Sequence, residues 1–232
     1  SRLAVSITLL MPLAACGAGD DAPRSAAAAP APTAQAESTL QSAAGAFRMT
    51  EIARGLAHPW AVAPLPEGGF LVTERPGQLR RVSDSGAVSA PIKGVPAVYA
   101  KGQGGLLDVV LAPDYASSHR IYLSYAEPGP EDTAGTAVAM GVLKGDTLSD
   151  LRVIYRQVPK LVGPNHFGSR IVFDDKGHVF ISQGERNDRP TAQKLDMLQG
   201  KLVRLNLDGS VPADNPFVGR EGARPEIWSY GH

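Results

Sequence analysis

A strand–turn–strand unit recurs three times along this chain, and that recurrence limits the available folds more than any other feature. The first copy runs Trp60-Ala61-Val62-Ala63-Pro64, a Leu65-Pro66-Glu67-Gly68-Gly69 turn, then Phe70-Leu71-Val72-Thr73-Glu74. The second pairs Leu107-Asp108-Val109-Val110-Leu111 with Arg120-Ile121-Tyr122-Leu123-Ser124-Tyr125 across a short insertion. The third joins Ile171-Val172-Phe173 to Val179-Phe180-Ile181-Ser182 through the turn residues Asp174-Asp175-Lys176-Gly177. The second strands begin near Phe70, Arg120 and Val179, steps of 50 and 59 residues. That is slightly above the ~40–50 residue period of propeller blades, with loops to absorb the excess. Gly77–Val82 and Gly200–Leu205 alternate apolar and basic residues, as half-exposed strands do, and each leads into a turn. A parallel α/β sheet needs crossover helices of about a dozen residues. The best helix candidate, Thr191 to Leu198, is barely two turns. The fold class is therefore all-β, a β-propeller.

Residues 46–232 hold about three and a half blades at a ~50-residue step, whereas closed propellers need about four or more. The stretch Glu226-Ile227-Trp228-Ser229-Tyr230-Gly231-His232 falls where a fourth blade is expected. The chain is thus expected to be a C-terminally truncated propeller, inactive on its own. Zero formal net charge gives no electrostatic footprint for nucleic acid.

The single cysteine excludes an internal disulfide and has its own context. Arg2 precedes a run from Leu3 to Leu13 in which only Ser6 and Thr8 are polar, and Leu13-Ala14-Ala15-Cys16 closes it. A short apolar segment followed by small residues and one thiol is the pattern of a lipoprotein signal, residues 1–16, with Cys16 as the acylated residue. It predicts a membrane-anchored protein on the periplasmic side. Residues 17–45, rich in Ala, Pro and Ser, are expected to form a disordered tether.

Chemistry is expected in the loops that open the blades, because equivalent loops of successive blades converge at one end of the channel. Gln103 lies between glycines in Gly102-Gln103-Gly104-Gly105 before the second blade, and His166 precedes the third. Gly102 to Gly105 are either a tight interblade turn or a place where backbone approaches a ligand. Gln183-Gly184-Glu185-Arg186-Asn187-Asp188-Arg189 either lines the same pocket, through Glu185 and Arg186, or is a solvated loop. His58, His119 and His178 sit beside turns and read as surface residues. Zincin, phosphate-loop and serine-hydrolase motifs do not occur.

Five segments together carry a resemblance: Gly102-Gln103-Gly104-Gly105-Leu106-Leu107-Asp108, Asn165-His166-Phe167-Gly168-Ser169-Arg170, Leu198-Gln199-Gly200-Lys201-Leu202-Val203-Arg204-Leu205, Asp214-Asn215-Pro216-Phe217 and Glu226–His232. In this order and spacing, over about residues 47–232, the chain resembles the soluble glucose/sorbosone dehydrogenases, and among them the bacterial PQQ-dependent aldose sugar dehydrogenases. The resemblance implies a six-bladed propeller with pyrroloquinoline quinone (PQQ) over the channel mouth and calcium (Ca2+) nearby. It matches His166 to the family's catalytic base and Gln103 to a residue that contacts the cofactor. The glucose-specific branch carries Asp where this chain has Asn165, so a direct carboxylate partner for His166 is not evident from the motif. The family's quinone-facing Arg follows the Gly-His that matches Gly231-His232. Its calcium ligands and further PQQ contacts lie later, so the metal site is expected beyond His232.

On this resemblance the substrate is an aldose sugar, oxidised at its anomeric hydroxyl to a lactone. His166 takes the proton, PQQ takes the hydride and an external electron acceptor completes the cycle. Two other readings stay open: a calcium-dependent lactonase-type propeller, and a non-catalytic lipoprotein propeller that binds carbohydrate or a partner.

Overall fold

The computed structural model describes residues 37–232. The expected signal segment, Cys16 and the tether up to residue 36 lie outside the described residues. From residue 37 the chain departs from the expected tether. β1 (Glu37–Ser42) and β2 (Gly45–Thr50) pair as an antiparallel hairpin whose Leu40, Phe47 and Met49 remain exposed. The physical reason is local. No proline falls between Pro32 and Pro59, and Ser42 closes the turn by accepting the Ala44 N–H and donating to the Gly45 carbonyl.

Three antiparallel sheets follow, each a meander of consecutive strands. The first is β3 (Pro59–Pro64), β4 (Phe70–Glu74) and β5 (Gln78–Val82), in that order. The second has β6 (Leu106–Leu111), β7 (Arg120–Pro128) and β8 (Thr133–Lys144), with β9 (Thr147–Arg156) and the short β10 (Leu161–Val162) both pairing along β8. The third is β11 (Ile171–Phe173), β12 (His178–Gln183), β13 (Lys201–Asn206) and β14 (Ile227–Tyr230). The three strand–turn–strand units of the sequence are therefore β3–β4, β6–β7 and β11–β12.

Ile227–Tyr230 differs from expectation. It does not begin a fourth blade but pairs with β13 as the outer strand of the third sheet. A count at even steps misplaces it because β13 and β14 are separated by a long excursion. Asn215 pins that excursion by donating to the carbonyls of Arg204 and Pro225, both at 3.0 Å. The helix candidate at Thr191–Leu198 is replaced by a 3-10 turn over Arg189–Gln193, which Pro190 starts and Lys201 holds. The fully buried Lys201 ammonium donates to the carbonyls of Thr191, Ala192 and Gln199.

The middle sheet is buried on both faces, and the period-2 pattern of β7 divides its side chains. Ile121, Leu123 and Tyr125 pack with Leu71 and Leu79 of the first blade, while Tyr122 packs with Ile171, Val179 and Ile181 of the third. One polar device repeats with this packing. In each blade an amide in, or in the third blade just before, the first strand donates to a hydroxyl in the second strand: Ala61 to Thr73 (3.0 Å), Asp108 to Ser124 (2.8 Å), Arg170 to Ser182 (3.1 Å). In the first two blades that hydroxyl donates onward to the next blade's backbone, from Thr73 to the Leu107 carbonyl and from Ser124 to the Ser169 carbonyl, both at 2.6 Å. Ser182 donates to no acceptor among the described residues. Asp108 adds a carboxylate clasp between the second and third blades, accepting from the Ile171 amide at 2.9 Å and from Arg170 at 3.1 Å.

This device predicts an order of stabilities. Thr73→Val or Ser124→Ala strands a buried amide and a buried carbonyl together, and each should lower stability by about 1–3 kcal/mol. Ser182→Ala removes one acceptor only and should cost less. Urea unfolding midpoints test this, and equal losses for all three variants would refute the cross-blade role.

Candidate active site

The loop that enters β11 carries His166, and its neighbours fix it almost atom by atom. From the second blade, the Gln103 amide N–H donates to the Pro164 carbonyl and the Gln103 side-chain oxygen accepts the His166 N–H, both at 2.8 Å. Thr136 donates to the Phe167 carbonyl at 2.7 Å. From beneath, Arg186 donates to the carbonyls of Ala134, Gly163 and Asn165. Its guanidinium lies 3.7 Å from the Phe167 ring centroid, a cation–π stack. The convergence of Gln103 and His166 expected from the repeat is thus a direct hydrogen bond.

His166 holds a left-handed backbone, φ 53°, as do Arg186 (φ 59°) and Asn187 (φ 64°). Non-glycine residues in this region mark backbone held by its surroundings, and such residues cluster at functional sites. Glycines make the remaining room. A Cβ on Gly184 would come within 2.6 Å of the imidazole, and one on Gly168 within 2.6 Å of the Gln183 Cα.

The imidazole Nδ1 bonds the Glu185 carboxylate, whose same oxygen also accepts the Asn187 amide at 3.2 Å. A carboxylate only accepts, so Nδ1 carries a proton toward it, and in the neutral tautomer the Nε2 lone pair then meets no protein partner among the described residues. Glu185 is buried while the His166 side chain is about half exposed, 48%. The carboxylate that sequence position 165 lacks is supplied by a residue just beyond the end of β12. Glu185, read from sequence as a possible pocket residue or solvated charge, is therefore the partner of His166. Asn165 contributes its backbone carbonyl to Arg186 rather than a side-chain contact to His166.

Arg186 does not sit in an open pocket as its polar run suggested. It is buried under the His166 loop, and that burial pushes its pKa down to about 10. His178 is also less exposed than expected, because it bonds Asp174 at 2.8 Å on the far end of the third sheet.

Beside this loop a cleft of about 230 Å³ is lined by Trp60, Arg75, Gln103, Leu107, Phe167 and Gly168. All three blades contribute to it. Below, Arg170 lies 4.1 Å from the Trp60 ring centroid and pairs with Asp108. Burial raises the Asp108 carboxyl, while the Ile171 amide and Arg170 oppose that rise. Among the described residues no group of three or more His, Cys, Asp or Glu is placed to hold a metal ion. Sequence reasoning did not single out Trp60, Arg75 or Phe167 as lining residues.

Comparison with known proteins gives this geometry a context. The family model described as Glucose / Sorbosone dehydrogenase matches residues 56–232. The chain is 59% identical over 179 residues to the aldose sugar dehydrogenase YliI of Escherichia coli (strain K12), covering 76% of this chain and 48% of that protein. The crystal structure of the soluble aldose sugar dehydrogenase from Escherichia coli in the apo form superposes with a TM-score of 0.75 at 56% identity, over 77% of this chain and 52% of that one. The PQQ-bound form of an aldose sugar dehydrogenase from Streptomyces coelicolor gives a TM-score of 0.68 at 30% identity, over 88% and 56%. The chain spans about half the length of the curated relatives it matches.

The His166–Glu185 pair predicts a tautomer. In ¹⁵N-histidine-labelled protein, at a pH where the ring is neutral, His166 should show a protonated Nδ1 and an unprotonated Nε2. Glu185→Ala should abolish that bias. A mixture of tautomers already present in the wild type would contradict the pairing.

Proposed function

The chain belongs to the glucose/sorbosone dehydrogenase family, and on that premise we propose that the protein oxidises aldose sugars at the anomeric hydroxyl to lactones, with His166 as base and PQQ as hydride acceptor. The observation that carries this is a histidine held through Nδ1 by Glu185 and through its backbone N–H by Gln103, in the loop whose Phe167 and Gly168 line the three-blade cleft. The donor set fits the cofactor. Gln103 and Arg75 bring N–H groups to a cleft that Trp60 and Phe167 also line, which suits a planar ring bearing carbonyl and carboxylate oxygens. When bound, PQQ supplies the electrophile that no side chain provides.

The chain's own residues do the rest. The Nε2 atom of His166 takes the sugar hydroxyl proton, and Glu185 stabilises the imidazolium that results, as buried carboxylates do for catalytic histidines. Gln103 and Arg186 hold the loop so that this nitrogen needs no reorganisation. Calcium enters the proposal through the family resemblance alone: among the described residues no three His, Cys, Asp or Glu gather to hold it, and the steps above do not involve it. Family membership favours a dehydrogenase over the lactonase-type and non-catalytic readings.

Dye reduction by the full-length protein, with sugar, PQQ and Ca2+ each omitted in turn, tests the activity. His166→Ala should lose about 10²–10⁴-fold in turnover while still binding PQQ. Gln103→Ala should instead raise the PQQ concentration needed for half-maximal activity. Unchanged turnover of His166→Ala at saturating PQQ would exclude it as the base.

Location is a second part of the proposal, resting on the sequence from Leu3 to Cys16. Acylation of Cys16 would hold the enzyme at a membrane on the periplasmic side, where it passes electrons to an external acceptor. Labelled fatty acid should mark the wild type and not Cys16→Ala; equal labelling would remove this claim.

A further inference from the structure

Arg75 has a feature that the steps above do not use. It follows β4 directly, and its backbone is fixed on both sides: its N–H donates to the His58 carbonyl at 3.1 Å and its carbonyl accepts the Leu106 N–H at 3.0 Å. Its stem is seated against Gly105, where a Cβ would lie 2.6 Å from the Arg75 Cγ. The guanidinium therefore reaches the cleft from a rigid base. One Nη donates to the Gly102 carbonyl. Of the five N–H donors of a guanidinium, the others meet no protein acceptor among the described residues. Among the described residues no carboxylate pairs with it, whereas Arg80, Arg120, Arg156, Arg170, Arg204 and Arg224 each pair with one.

Gln103 repeats the pattern. Its oxygen is taken by the His166 N–H, and its side-chain NH2 has no acceptor among the described residues. The cleft thus presents a planar cation without a carboxylate partner among the described residues, and an amide donor, in a wall that also holds two aromatic rings. An aldose is neutral and leaves such a charge unanswered. A carboxylate matches it bidentately.

We propose that Arg75 binds a carboxylate of the quinone cofactor in this cleft, while its bond to Gly102 holds the loop that carries Gln103. The proposal rests on the assignment of PQQ made above. Arg75 is a binding residue here, with no proton to move in the reaction.

The test is equilibrium binding of PQQ to the full-length apo protein without sugar, followed by quenching of tryptophan emission and repeated across salt concentrations. Trp60, in the wall of the cleft, is the reporter. Arg75→Gln should weaken PQQ binding by about 10- to 100-fold, the span of a lost charge-assisted pair. It should also flatten the dependence of affinity on salt, because one ionic contact is gone. Arg75→Lys keeps the charge and loses the fork, so it should bind more weakly than wild type yet retain the salt dependence. It serves as the reading variant if Arg75→Gln does not fold. Weaker binding with an unchanged salt dependence in Arg75→Gln would make Arg75 a support for the Gly102 loop only and overturn the proposal. Unchanged affinity in Arg75→Gln, or in Arg75→Lys when that variant is read, would overturn it as well. If wild-type protein binds no PQQ, the cofactor assignment itself fails.

Discussion

A single hydroxyl per blade, Thr73 in the first and Ser124 in the second, sets the spacing on which everything else in this molecule depends. Each accepts an amide from its own inner strand and donates to a carbonyl of the next blade. Apolar packing alone, as between Leu123 and Leu79 or Tyr122 and Val179, tolerates sliding because it has no direction. A buried hydroxyl with two fixed partners does not, since a shift leaves two backbone groups unpaired. The hydroxyls therefore convert a stack of sheets into an array with one register.

The site inherits that register. Gln103 belongs to the second blade's entry loop, His166 to the third's, and Glu185 to the loop that leaves β12. These three meet only if blades two and three are correctly placed. Ser124 donating to Ser169 acts three residues from His166, and Asp108 receiving Ile171 acts five residues away. Thr136 takes the Phe167 carbonyl between them. Left-handed backbone at His166, Arg186 and Asn187 is held inside this frame.

Much of this could be read from the chain, and the boundary has a physical basis. The hairpin Ile171–Phe173 to His178–Gln183 was legible because β-branched runs flank a turn-rich tetrapeptide. The meeting of Gln103 with His166 followed from blade geometry. The Glu185 contact did not. A carboxylate nineteen positions away in a charged run looks the same whether solvated or buried, and only Gly184 just before it hints at crowding. Arg186 misled for the same reason, since a buried guanidinium has no signature of its own. Thr73, Ser124 and Ser182 were within reach, because aligning the three second strands puts a hydroxyl at the same place in each. The hairpin at 37–50 escaped because its composition merges into the Ala-rich stretch before it.

The way Arg186 grips the His166 loop has one further result. It contacts the carbonyls of Ala134, Gly163 and Asn165, groups that every residue type carries. The clamp is thus indifferent to which side chains stand at 164 and 165, although the backbone at 163, φ 111°, favours glycine. Sequence there can drift, and with it the chemistry shown to an incoming ligand, while the imidazole stays where it is. A protein built in this way separates the part of its site that must be inherited unchanged from the part on which selection is free to experiment.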